Sequence, residues 1–488
     1  MAVTAELRFY TRTARGPTGR WLGPALVIAA VAALLRVVSG VYFANYDTLY
    51  ALVWGQQLSR GQTPQYGIPV APTPHPLIEA LGLVLSPLGP RAVEDVIVAL
   101  AYLALAGCGW VLYRLGSEWF GRGAGALAAL ILLTRVPVLS YGTRAYVDVP
   151  YLLLVLGALL VETRRRRAGA PVLALLALAG LLRPEAWVFS GLYWLYLAWS
   201  RTHTRAQLAR LALLGAAAPI LWVGSDALVT GHPLWSLTNT RHTARTLDRV
   251  TGIANVPQYI PRRVGEILRP PVLAGAALGG VLSLAWLRDR ARIGAISGVV
   301  AVVVFVVFAT AGLPINTRYA FLVAAILAVF CGAGVFGWTL LEREDPHRRW
   351  WMAGAAVVAV ALVAYTPSQI SGVHSQLWSL ERQQTIQNDL VALVADRTIA
   401  LGCGPVGVPN HAPVPLLALR LQTSPANIAD LADERRALQR GSYVAAATRE
   451  VTRDYVLDLN DPHVRAPHVP PGFALIGGDR SWRVYRRC

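Results

Sequence analysis

Asp47 and Asp148 are isolated carboxylates in a chain dominated by apolar runs, and each stands where such a run ends or begins. A carboxylate within hydrogen-bond reach of a hydroxyl can take its proton while that oxygen attacks an electrophile. Asp47 is the candidate base, and Asp148 the candidate for orienting the reacting hydroxyls. Arg318 and Arg183, with Arg135 and Arg241 behind them, are suited to an anion. A guanidinium fork matches phosphate oxygens, stays charged, and offsets charge that develops on a departing phosphate. His75 can donate to a phosphate or hydroxyl oxygen. Each has a structural alternative: a helix-end cap for Asp47, an N-cap for Asp148, snorkelling for the arginines, and a packing role for His75.

Other chemistries lack their residues. No Cys/His cluster suggests zinc, no Gly-rich loop suggests a nucleotide, and no serine elbow suggests a hydrolase. The net charge of +18 is carried by arginine, with no lysine in the chain. The arginines stand mostly between apolar runs, where they set membrane orientation; nucleic acid is not expected as a partner. Cys108 and Cys331 lie inside apolar runs. Cys403 and Cys488 fall in a soluble C-terminal region and are free to form a disulfide if that region is extracytoplasmic, which their spacing leaves undecided.

These residues need a membrane-embedded frame. Apolar runs cover Trp21–Tyr42, Val96–Leu115, Gly123–Leu139, Pro150–Val161, Gly169–Leu182 and Trp187–Trp199, then Leu211–Val223, Val272–Leu287, Ile293–Ala311, Tyr319–Leu341 and Trp351–Tyr365. The expectation is a mainly α, polytopic protein of about eleven transmembrane helices, several of them short. The first run is too long for a signal-peptide core and follows several arginines, so residues 1–20 are expected in the cytoplasm.

Arginine-rich loops orient the rest. Arg164–Arg167, Arg201–Arg210, Arg288–Arg292 and Arg343–Arg349 all fall on the cytoplasmic side if Pro76–Leu88 is a surface helix and not a crossing. Residues 21–365 then form the membrane domain, in an inner (plasma) membrane, with outer loops 44–95 and 229–270. Residues 366–488 form a small extracytoplasmic α/β domain. In it Ile428–Gln439 has a helical period, while Tyr455–Leu459, Phe473–Ile476 and Trp482–Tyr485 read as strands. Arg36, Arg135, Asp148, Arg183, Glu185, Asp226 and Arg318 fall in the outer half of the membrane or at its edge. A one-sided charged set describes a cavity opening outward, whereas a transporter places such groups near the midplane.

Tyr46-Asp47-Thr48 directly follows the first span, Pro74-His75-Pro76-Leu77 precedes the surface helix, and Tyr146-Val147-Asp148 opens the fourth span. In this order they resemble the GT-C superfamily of membrane glycosyltransferases, in particular the branch of protein O-mannosyltransferases and aminoarabinose transferases. Arg183-Pro184-Glu185-Ala186-Trp187 and Asn316-Thr317-Arg318-Tyr319 also resemble elements of bacterial members. The likeness covers about residues 21–200, and the tail matches nothing. His75 is followed by one proline where that branch has two. Asp47 stands alone where it has an acidic pair, which weakens any role for a divalent metal without removing it.

The resemblance implies transfer of a sugar from a polyprenyl-phosphate donor to an extracytoplasmic glycan, glycolipid or protein. It favours mannose, with arabinose next. Asp47 and Asp148 would be catalytic, while Arg318, Arg183, Arg135, Arg241 and His75 would hold the donor's phosphate and sugar. A transporter or lipid flippase, and a non-catalytic scaffold acting through the tail, are the other readings.

Overall fold

The computed structural model describes residues 17–432, 438–456 and 468–488. Most of the N-terminal segment 1–20 thus lies outside the described residues. Helix α1 (Pro17–Ser39) leads into α2 (Tyr46–Ser59) and α3 (Pro76–Leu85). Then come α4 (Pro90–Phe120), α5 (Arg122–Thr134), α6 (Val136–Thr143), α7 (Asp148–Arg164), α8 (Ala170–Gly180) and α9 (Glu185–Trp199). The chain continues through α10 (Arg205–Thr230), α11 (Trp235–Thr246), α12 (Val256–Trp286), α13 (Arg288–Thr310), α14 (Phe321–Phe336) and α15 (Pro346–Ala395).

Among the described residues seven helices are long and apolar enough to cross a membrane: α1, α4, α10, α12, α13, α14 and α15, with short 3-10 turns extending α12 and α14. The run expected as one span from Gly123 to Leu139 is broken. It bends by 64° between α5 and α6, where Pro137 removes a backbone donor. Helices α7, α8 and α9 are shorter, at 17, 11 and 15 residues.

The connections separate into two ends. At one, Glu118 of α4 accepts from Arg164 of α7 at 3.1 Å. Trp119 packs on Gly294 of α13, and Gly169 before α8 meets His203 before α10. Trp286 of α12 stacks near His347 of α15, ring centres 4.5 Å apart. All the arginine-rich loops therefore share this end. At the other end Asn45, before α2, donates to Arg144 after α6, and Gly252 donates to Ala309 near the end of α13. Helix α7 joins the two ends, from Asp148 to Arg164. Close helix approach rests on small residues: a side chain on Gly279 of α12 would collide with the Phe330 carbonyl of α14.

The loop expected over 44–95 contains more structure than its surface helix. Helix α2 is almost wholly buried, with Leu49, Tyr50, Leu52, Val53 and Trp54 in a core shared with the C-terminal domain. Asn45 caps it by accepting from the backbone N–H groups of Asp47 and Thr48. Its apolar residues carry no amphipathic period, so the sequence pattern hides it.

Helix α15 continues past residue 366 without a break. A five-stranded sheet follows, in order β2-β1-β3-β5-β4, built from β1 (Val406–Val408), β2 (Ile428–Asp430), β3 (Gly441–Ala446), β4 (Ala474–Gly478) and β5 (Trp482–Arg487). The first three strands are parallel and β5 is antiparallel to both neighbours. The strands read at Phe473–Ile476 and Trp482–Tyr485 are present. The helix read over Ile428–Gln439 opens instead as strand β2, and 433–437 lie outside the described residues. Tyr455 and Val456 end a helical turn rather than begin a strand, and 457–467 lie outside the described residues. Helix α16 (Val414–Arg420) rests on α2, and its Arg420 pairs with the buried Glu94 of α4. Glu94 also accepts from the Ala44 backbone at 3.0 Å. The tail is thereby clamped to the end that carries Asp47. Cys403 and Cys488 form a disulfide, and Cys108 and Cys331 are free and buried.

Candidate active site

Asp47 belongs to the first turn of α2, where the Asn45 cap leaves its carboxylate uncommitted. Asn45 holds this turn to the α6–α7 loop through Arg144, and Thr48 donates to the Ala145 carbonyl at 2.7 Å. That loop carries Asp148. The carboxylate of Asp148 does not cap α7, whose cap position is Val147.

Arg318 lies in the 3-10 turn Thr317–Ala320 between α13 and α14. Its loop is fixed from α12: Arg263 donates to the Ile315 carbonyl at 3.1 Å, and Thr317 donates to Glu266 at 2.8 Å. Arg183 follows α8, and Pro184 turns the chain into α9. The Leu77 backbone donates to Leu181 just before it, at 3.3 Å, which brings His75 alongside.

These placements produce one chain of ion pairs. Arg318 Nη1 donates to Asp47 Oδ2 at 2.9 Å and lies 3.7 Å from Asp148 Oδ2. Arg183 pairs with Asp148 and with Glu185. The Arg183 guanidinium lies over Tyr319, 4.1 Å from the ring centre, and 5.3 Å from that of Tyr151. Asp148 is 1% exposed and Asp47 19%, so Asp47 is the carboxylate that an incoming molecule can reach.

A small pocket lies beside the ion pairs, lined on its polar side by Arg183, Glu185, Arg318 and Tyr319. Its remaining walls include Phe189 of α9, Val304, Phe305 and Phe308 of α13, and Leu322 of α14.

His75 is buried, with its ring edge-on to Trp222 at 6.0 Å. Burial drives its pKa down to about 4; Asp47 opposes this, while Arg318 and Arg183 reinforce it. Its backbone N–H donates to Glu79 at 3.0 Å, and Glu79 also accepts from Tyr66 at 2.6 Å.

The other sequence candidates are elsewhere. Arg135 spends its fork on the carbonyls of Ile131 and Leu268, both at 3.2 Å, and joins no ion pair of the site. Arg241 lies on α11 with its stem against Gly312, in the loop leading to Arg318; its Nε is buried without a partner. Asp226 accepts from the Ser236 backbone and hydroxyl, tying α10 to α11. Among the described residues no three His, Cys, Asp or Glu side chains group as a metal-binding set. Asp47, Asp148 and Glu185 each face an arginine instead.

Sequence reading counted Glu185 in the outer charged set and Tyr319 in a family-like element but gave neither a role in the site. It also missed Asn45; a cap residue immediately before Tyr46-Asp47 was the available signal.

No protein-family model matches the chain, and no curated protein matches it. Solved structures do. ArnT from Cupriavidus metallidurans bound to undecaprenyl phosphate superposes with a TM-score of 0.56 at 15% identity, covering 96% of this chain and 98% of that one. Arabinofuranosyltransferase AftD from Mycobacteria gives 0.51 at 16% identity, covering 96% of this chain and 40% of its own. The oligosaccharyltransferase AglB from Archaeoglobus fulgidus, with an inhibitory peptide and a dolichol-phosphate, gives 0.50 at 12% identity over 85% and 65%. With this bundle, this site end and these likenesses, the chain has the GT-C fold of polytopic membrane glycosyltransferases.

Proposed function

We propose that the protein transfers a sugar from a polyprenyl-phosphate carrier to a hydroxyl at the outer face of the membrane. The observation that carries this is the Asp47–Arg318–Asp148–Arg183 chain, whose two arginines line a small pocket with otherwise largely apolar walls. The carrier's phosphate would sit between Arg318 and Arg183, with its isoprenoid chain along α9 and α13. The acceptor oxygen attacks the anomeric carbon and Asp47 takes its proton. The carbon–oxygen bond to the phosphate breaks, and the electron pair leaves with that oxygen, where the arginines stabilise it. Asp148 holds both arginines in place. In the structure Asp47 is paired with Arg318; an arriving phosphate competes for that arginine and frees the carboxylate to act. The acceptor approaches past the C-terminal domain, where His411 meets Tyr46, the neighbour of Asp47, at 5.4 Å.

Eleven crossings account for the two ends of the bundle. Arginine-rich loops at one end favour the cytoplasm, and a disulfide at the other favours an oxidising compartment. On this reading the N-terminus lies inside and the C-terminal domain outside a plasma membrane.

Transfer of radiolabelled mannose from polyprenyl-phosphate mannose in membranes, comparing wild type with Asp47→Asn at equal level, is the test. The variant is expected to lose about 10²-fold or more in rate. Equal transfer by both removes Asp47 from the mechanism. If neither uses mannose, polyprenyl-phosphate arabinose is offered next. Failure with both donors counts against the transferase reading.

A further inference from the structure

Arg318 works from a short turn that follows the loop leaving α13. A guanidinium fork recognises phosphate by direction as well as by charge, so whatever fixes this loop also fixes the recognition. Glu266, on the half of α12 before the kink at Arg269, gathers three donors there. The Thr317 hydroxyl donates to Oε2 at 2.8 Å. Arg263 Nη1 reaches both oxygens at 3.0 and 2.9 Å, and Arg262 Nε reaches Oε1 at 3.2 Å. Arg263 in turn donates from Nε to the Ile315 carbonyl at 3.1 Å. The Arg263–Glu266 pair thus grips the chain on both sides of Asn316, and its second grip is on the residue next to Arg318.

The contacts of Glu266 differ in what they can do. Its pairing with Arg262, four residues before it and 61% exposed, is an ordinary surface pair along a helix and contributes little. The bond from Thr317 joins residues 51 apart in sequence. It ties α12 to the turn from which Arg318 faces Asp47 at 2.9 Å and Asp148 at 3.7 Å. The bonds of Glu266 go to Arg262, Arg263 and Thr317, outside the chain of ion pairs, so its part in the site is indirect.

We propose that Glu266 is a positioning residue for the donor phosphate: through the Thr317 hydroxyl it sets the direction in which Arg318 presents its fork. This rests on the reading above, in which Arg318 meets the phosphate of a polyprenyl carrier.

The test is equilibrium binding of bare undecaprenyl phosphate to the full chain in lipid nanodiscs, with thermal midpoints recorded beside it. Glu266→Ala is expected to weaken binding about tenfold or more, the size of one charge-assisted hydrogen bond lost at the phosphate. Thr317→Val, which removes the hydroxyl at constant shape, is expected to lose a similar factor. Glu266→Gln keeps an oxygen that accepts from Thr317 and is expected to stay within about threefold of wild type. The deciding comparison places Glu266→Ala in an Arg318→Ala background. With no guanidinium left to aim, the double variant is expected to bind within about twofold of Arg318→Ala alone. A general structural role would multiply the two losses instead. Multiplied losses, or wild-type binding by Thr317→Val, overturn the proposal. Should Glu266→Ala fail to fold, Thr317→Val alone and in the Arg318→Ala background decides. Failure of wild type to bind the lipid brings down the transferase reading and the positioning role with it. Wild-type binding that neither Glu266→Ala nor Thr317→Val disturbs brings down the positioning role alone.

Discussion

Arg183 joins two carboxylates on its fork to the faces of Tyr319 and Tyr151 around its plane. Lysine keeps the charge but loses the planar fork. Asp148 is 1% exposed, and weakening its partner exposes the cost of a buried charge, up to about 3 kcal/mol. Arg183→Lys is therefore expected to lower thermal stability in detergent and to weaken binding of bare undecaprenyl phosphate about tenfold or more. Unchanged binding would show that charge alone suffices there. At this scale much was legible, because Asp47, Asp148, Arg183 and Arg318 stand at the edges of apolar runs, where a charge needs a reason. Their pairing was not, because residues 271 apart in the chain meet only after the bundle closes. Glu185 stands in the outer charged set by sequence, but its pairing with Arg183 appears only in the fold.

Helices broken at depth explain the arginine that stays apart. Helix α12 is kinked at Arg269, with φ of 65°, immediately before Pro270 and Pro271. The α5–α6 bend lies beside it, and Arg135 bridges the two breaks by donating to Ile131 and Leu268. Broken helices leave carbonyls that need partners away from water. Arg135→Leu is expected to destabilise the protein by about 2–4 kcal/mol, read as a fall in thermal midpoint. The donor KM of the folded fraction is expected within twofold of wild type. A large rise in KM with unchanged stability would return Arg135 to the phosphate. Long helices and the last two strands were legible because periodicity and length announce them. The bend at Arg135 and buried α2 were not: a single Pro137 permits a bend without requiring one, and α2 is apolar on all sides because the C-terminal domain covers it.

On the scale of the whole molecule, function depends on the two ends facing different compartments. Every arginine-rich loop gathers where Glu118, Trp119, Trp286 and His203 meet their neighbours. Asp47, Arg318, the Glu94–Arg420 clamp and the Cys403–Cys488 disulfide belong to the other end. Single cysteines at exposed positions read this directly. Thr63→Cys lies in the segment between α2 and α3, and Thr202→Cys precedes α10. Cys108 and Cys331 are buried, and the disulfide occupies the remaining pair, so the background is quiet. In intact cells a membrane-impermeant maleimide is expected to label Thr63→Cys, and to reach Thr202→Cys only after permeabilisation. The reverse pattern would put Asp47 and its acceptor in the cytoplasm and the disulfide in a reducing compartment, and with them the outer-face reaction would fall. On the proposed function, the expected pattern gives the carrier one route: its isoprenoid chain in the bilayer, its phosphate at Arg318 and Arg183, and its sugar presented to Asp47 at the outer side.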